Sequence, residues 1–188
     1  MAKPGAIDLQ NLSQQIASIC KTVLLEKYNQ TVTDDPQITE REIVEYKSRL
    51  RTFGLAKFNG PCYISAINLY DSQASLQAKK PSGAIVFFID EELAELMLHK
   101  QSRSADSENE ELVGSATAEF ANTVAAKLKD NILGSGFNDL VLADPMNYKN
   151  DAPEGIAFKY SEYKMMEISL VIKKKKSVVI NFTLGTPG

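Results

Sequence analysis

A chain of 188 residues, 44% hydrophobic and 24% charged, is long and apolar enough to bury a proper core, and a single domain is the simplest organisation. Its net charge of -3 recommends no polyanionic partner, so nucleic-acid binding is not expected. No apolar run reaches the length of a membrane span, the opening MAKPGAIDLQ lacks the apolar region of a secretory signal, and two cysteines are too few for a disulfide framework. The expected setting is cytoplasmic, with no membrane partner and with Cys20 and Cys62 as buried thiols.

Ile7 to about Tyr28 places Leu9, Leu12, Ile16, Ile19 and Val23 at steps of three and four, which predicts an amphipathic helix. Asn29 to Pro36 is turn-rich. Between Thr39 and Phe53 two patterns compete: Ile43, Tyr46, Leu50 and Phe53 suit the stripe of a helix, whereas Val44, Tyr46, Ser48 and Leu50 alternate with charged residues as in a half-buried strand. Pro61 to Tyr70 and Gly83 to Ile89 are β-rich runs around a polar stretch, 71–82, and should pair as a long hairpin. Asp90 then caps a short helix, Glu91 to Lys100, with Leu93, Leu96 and Met97 on its inner side, and Gln101 to Asp106 reads as a linker.

Ser107 to Gly134 reads as one long helix. Ser107 and Glu110 form a capping-box pattern, and Gly134 and Gly136 supply the stop. Val113, Ala116, Phe120, Val124 and Leu128 make one apolar stripe; Ser115, Glu119 and Asn122 stand about 200°, 240° and 180° round the helix from Val113, an arc narrow enough to act together. Ala118 and Ala126 beside them are too small to block an approaching surface.

After Gly136, strands are expected at Leu140 to Leu142, Gly155 to Tyr160, Met165 to Ile172 and Ser177 to Leu184. Lys173 to Lys176 between the last two read as a soluble hairpin tip in preference to an anion-docking patch. His99 is the one histidine. With two cysteines in apolar company it can assemble neither a zinc site nor a Ser-His or Cys-His relay, and no glycine-rich phosphate loop is present.

The spacing Ser115-x-x-x-Glu119-x-x-Asn122, followed after 22 intervening residues by Pro145, resembles the signature of the CheC/CheX/FliY phosphatases, which remove the phosphoryl group from the response regulator CheY. The order of an opening helix, central hairpin, short helix, motif helix and terminal strands is also similar to CheX. The resemblance implies an α+β fold, an antiparallel sheet covered by two long helices, and it favours a strand between Thr39 and Phe53. CheC and FliY carry the motif twice. Thr22, Glu26 and Asn29 echo it here, but Thr22 stands where Ser or Asp is expected, Thr52 stands where Pro should follow, and Glu26 falls on the apolar stripe, so one motif per chain is read, as in CheX.

The resemblance implies hydrolysis of an aspartyl phosphate on a CheY-type response regulator in chemotaxis or another two-component pathway. Asn122 would orient the attacking water and Glu119 would pair with the regulator's lysine, with Ser115 and Pro145 in support. No cofactor of its own is expected, Mg²⁺ being held by the partner, and CheX suggests a homodimer. The alternative is a module of the same fold that docks a response regulator, or serves structurally, without hydrolysis.

Overall fold

The structure is a computed structural model that describes residues 7–47, 49–102, 106, 108–133, 137, 139–157 and 164–185. Helix α1, Leu9–Tyr28, follows its predicted stripe: Leu12, Ile16, Cys20 and Val23 are buried, the Asn11 amide donates to Asp8 Oδ1 (2.9 Å) at its start, and Asn29 ends it in the left-handed region at φ 54°. Glu26 is exposed, not on the apolar side as predicted. The real stripe drifts onto Leu24 and Tyr28, which face the core one step beyond Val23.

The stretch that sequence left between helix and strand is extended. Strand β1, Gln37–Glu42, is followed by a tight pair, β2 (Glu45–Tyr46) with β3 (Arg49–Leu50), and a one-turn helix α2, Leu55–Phe58. Ile43 and Leu50 turn inward, whereas Val44 and Phe53 are exposed, so neither predicted pattern holds throughout. The central hairpin stands where expected: β4, Cys62–Tyr70, and β5, Gly83–Asp90, pair antiparallel from Cys62 opposite Asp90 to Leu69 opposite Gly83. Every residue of both strands is buried, which is why these runs, Ser65, Asn68 and Asp90 apart, are apolar on both faces instead of alternating. Their connection contains a short helix α3, Gln73–Gln77.

Asp90 caps α4, Glu91–Gln101, its Oδ1 accepting the Leu93 amide at 3.0 Å. The long helix α5 runs Glu110–Ile132. Its cap is Asn109, whose Oδ1 accepts the amides of Glu111 (3.1 Å) and Leu112 (3.2 Å), so the predicted capping box is displaced by the nearer amide side chain; Ser107, Gly134 and Gly136 lie outside the described residues. Four strands follow: β6 (Val141–Leu142), β7 (Met146–Lys149), β8 (Lys164–Ile172) and β9 (Lys175–Leu184). The strand expected at Gly155 to Tyr160 does not form in its described part. Gly155 sits at φ 69° and Ile156 makes only an isolated bridge to Leu50, while 158–160 lie outside the described residues.

Among the described residues seven strands form one antiparallel sheet in the order β1-β8-β9-β5-β4-β6, with β7 on the same edge of β4 as β6 but nearer its start. One face packs against α1, α4 and α5, where Phe120 of α5 meets Tyr28 and Phe87 edge-on at centroid separations of 5.9 and 5.8 Å. The opposite face holds a second core of Ile64, Val86, Phe88 and Val179, closed by Ile43, Leu50 and Ile156. This is the α+β arrangement expected, with α4 added to the helical layer and Ile43, Leu50 and Phe58 covering the back face.

Candidate functional site

Burial divides α5 as its sequence predicts. Val113, Ala116, Phe120, Val124 and Leu128 are 0–1% exposed, while Ser115, Glu119 and Asn122 face solvent. Three-residue spacing brings Glu119 and Asn122 onto adjacent turns, with Cβ atoms about 5–6 Å apart. Ala118 is half-buried and Ala126 exposed, so no bulky side chain rises between the pair and an approaching surface. The Ser115 hydroxyl donates to Glu111 O at 2.9 Å, which commits its proton to its own helix. Among the described residues the Asn122 carboxamide has no hydrogen-bond partner, leaving both its donor and its acceptor open.

The two flanks of this face differ. On the α1 side, Lys27 Nζ lies 3.6 Å from Glu119 Oε1 and donates to Thr123 Oγ1 at 3.3 Å. The Thr123 hydroxyl in turn donates to Glu119 O at 2.8 Å. On the other side a cleft of about 380 Å³ is lined by Tyr63, Glu110, Gly114, Ser115, Asn147 and Lys149 among others. Lys149 Nζ bonds Glu110 Oε1 at 2.6 Å, approaches Glu91 Oε1 at 3.3 Å and lies 5.3 Å from the centre of the Tyr63 ring. The Glu110 hydrogen bond lifts the Lys149 ammonium above the ordinary amine range, against the opposing effect of desolvation, so it is charged at any physiological pH. Burial pushes the Tyr63 phenol upward despite that neighbouring charge.

A polar relay ties the floor of this cleft to the sheet. Ser65 Oγ of β4 donates to Asn147 Oδ1 at 3.0 Å and sits 3.3 Å from Thr117 Oγ1, which donates to Gly114 O at 2.8 Å. At the far end of α4, Gln101 Nε2 donates both to Ala116 O and to the Tyr28 hydroxyl, each at 3.1 Å. α5 is therefore pinned on both flanks, and its outward face is rigidly placed.

Ser115, Glu119 and Asn122 thus share one exposed surface. Pro145 is half-buried directly before β7 and does not line the cleft; it reaches the site only through the strand it starts. Lys27, Asn147 and Lys149 are additions that sequence reasoning did not single out, because each meets α5 through tertiary packing across many residues and no local spacing marks it. His99 is exposed in the last turn of α4. Cys20 and Cys62 are fully buried free thiols, burial pushing Cys62 up to about 11 and Cys20 further. Among the described residues no group of three or more His, Cys, Asp or Glu side chains is arranged to hold a metal ion. No described helix is long and apolar enough to cross a membrane.

No protein-family model matches the chain. No curated protein matches it either. Solved structures do. The chemotaxis protein CheX from Vibrio vulnificus is similar at 18% identity over 92% of this chain and 99% of that one, with a TM-score of 0.60. CheX from Desulfovibrio desulfuricans matches at 10% identity, 93% and 99% coverage and a TM-score of 0.63. The CheX-CheY-BeF3-Mg²⁺ complex from Borrelia burgdorferi matches at 15% identity, 96% and 99% coverage and a TM-score of 0.56. At such identities the likeness speaks for backbone architecture, and over 92–96% of this chain that architecture is the fold of the CheC/CheX/FliY proteins.

Proposed function

We propose that this protein is a phosphatase acting on the aspartyl phosphate of a CheY-type response regulator. The observation that carries the reading is that Glu119 and Asn122 lie together on the solvent face of α5, both exposed, with the helix anchored behind them. A fold shared with proteins of chemotaxis, one of them solved as a complex with CheY, supports it.

The chemistry follows from what the partner brings. A response regulator carries its phosphoryl group on an aspartate beside its own Mg²⁺ and a lysine, so the missing component is a water held in line for attack. The Asn122 carboxamide enters that site and orients the water by one hydrogen bond, as an amide does in GTPases. A neutral amide suits this place better than a carboxylate, which the phosphoryl oxygens would repel. The water oxygen bonds to phosphorus, the bond from phosphorus to the aspartyl oxygen breaks, and inorganic phosphate leaves with a free carboxylate behind it. Glu119 pairs with the regulator's lysine and sets the register of the two surfaces. The rate gain comes from positioning and not from proton exchange. Ser115 shapes the contact surface, and Pro145 starts the strand that backs the cleft.

Phosphate release from a phosphorylated CheY-type regulator tests this. Wild type should accelerate release, Asn122→Ala should abolish the acceleration while still docking, and Glu119→Ala should weaken docking as well. Equal release with wild type and Asn122→Ala would leave a docking module of the same fold.

A further inference from the structure

The carboxylate reserved for the partner's lysine is already engaged. Lys27 reaches from the last turn of α1 to Glu119, and its ammonium is steadied by the Thr123 hydroxyl, whose own proton is committed to Glu119 O and which therefore turns a lone pair towards Nζ. Both charged side chains are about half exposed, at 45% and 54%. A pair in that environment is weak and exchanges readily.

We infer that Lys27 is a positioning residue that governs docking by ion-pair exchange: it holds Glu119 in the free protein and gives it up to the ammonium of the partner's lysine. The inference rests on the docking role given to Glu119 above. Two ammonium groups around one carboxylate repel each other, so Lys27 opposes the incoming lysine for as long as it stays. It touches no reacting atom. Its influence belongs to affinity, and the chemistry within the bound complex is independent of it.

The sign of the effect separates this role from a general electrostatic one. Removing a lysine makes the surface more negative, and an acidic phosphorylation site should then bind more weakly. Loss of an internal competitor makes it bind more tightly.

The test uses the full chain and a CheY-type response regulator of the same cell, activated with beryllofluoride and Mg²⁺. Lys27→Met, which keeps the aliphatic stem, and Lys27→Gln should each tighten docking about threefold at low ionic strength. The gain should shrink as salt is added. With the regulator phosphorylated in place of beryllofluoride, release of phosphate from the saturated complex should keep the wild-type rate. In a Glu119→Gln background the substitution at Lys27 should have no effect, because the group it competes for is gone. Unchanged or weaker docking by both variants, or a gain that persists with Glu119→Gln, overturns the inference while wild-type docking leaves the proposed function standing. Absence of docking by wild type and variants alike overturns both.

Discussion

Gly114 is a small residue at a costly place, a buried position inside the first half of α5. A Cβ built there would meet only Asn147 Cβ at 3.9 Å, an ordinary contact, so nothing in the packing demands glycine. Gly114→Ala should therefore raise stability by about 0.5–1 kcal/mol through helix propensity, read as a higher urea midpoint with the slope unchanged. Asn109 works in the other direction. Its Oδ1 satisfies two amides at the start of the same helix, and Asn109→Ala should cost about 1 kcal/mol in the same measurement. The cysteines test burial. With Cys62 pushed up to about 11 and Cys20 held higher still by desolvation, neither is a thiolate at pH 8, and a thiol reagent should label both only after denaturant is added. Rapid labelling of the native protein at pH 8 would contradict their placement.

The β8–β9 hairpin shows what an element can ask of its residues. Ile172 pairs with Lys175, so the loop is Lys173-Lys174, and both residues sit at positive φ, 49° and 65°. Two-residue hairpin loops of that geometry favour Asn-Gly, because a Cβ is disfavoured there. Replacing Lys173 and Lys174 together by Asn and Gly should stabilise the protein by about 1 kcal/mol, measurable by thermal unfolding. The run of four lysines is also less uniform than it reads. Lys175 forms an ion pair with Asp90 Oδ2 at 2.7 Å and donates to Glu92 Oε2 at 3.0 Å, which fastens the hairpin to the start of α4 and leaves Lys173 and Lys174 as the tip proper. Glu92 responds as a partner should: its hydrogen bond from Lys175 holds its carboxyl below the ordinary range.

At the scale of the whole molecule, the sheet needs a cover on each face, and the back one is held by charge. Glu167 on β8 meets Lys57 of α2 and lies 3.4 Å from Arg41 of β1. Burial alone would raise the Glu167 carboxyl, but the Lys57 hydrogen bond and the two positive charges outweigh it and hold it below its ordinary value of 4.5. A carboxylate depressed in this way stabilises the fold fully above that value, and the contribution fades as pH falls through the lower folded one. Urea unfolding followed from pH 7 to pH 3 should therefore show a smaller acid loss for Glu167→Gln than for wild type. Equal pH dependence would mean that the Lys57–Glu167 pair contributes nothing to stability.

Periodicity and composition carried the architecture of this chain a long way: the stripe of α1, the largely apolar runs of β4 and β5, the Asp90 cap, and the opposed faces of α5 all follow from local rules that act within a few residues. The exposed triplet Ser115, Glu119 and Asn122 was legible for the same reason, since helical spacing is a property of the sequence itself. Other features were not. Residues 39–53 contain both periods; for 39–42 the choice was made by β8, whose open edge offers β1 a ladder of hydrogen bonds that a helix would forgo, and 45–46 and 49–50 pair with each other as β2 and β3. β7, four residues of no marked pattern, exists because β4 has an edge for it to pair with. Lys27 beside Glu119 and Asn147 opposite Ser65 are neighbours only after α1 has packed against α5 and β7 has paired with β4. Sequence by itself determined which residues face outward along α5 and along most of α1, Glu26 excepted; what stands next to them depended on contacts between segments far apart in the chain, and those arise only when the hydrophobic faces close on one another.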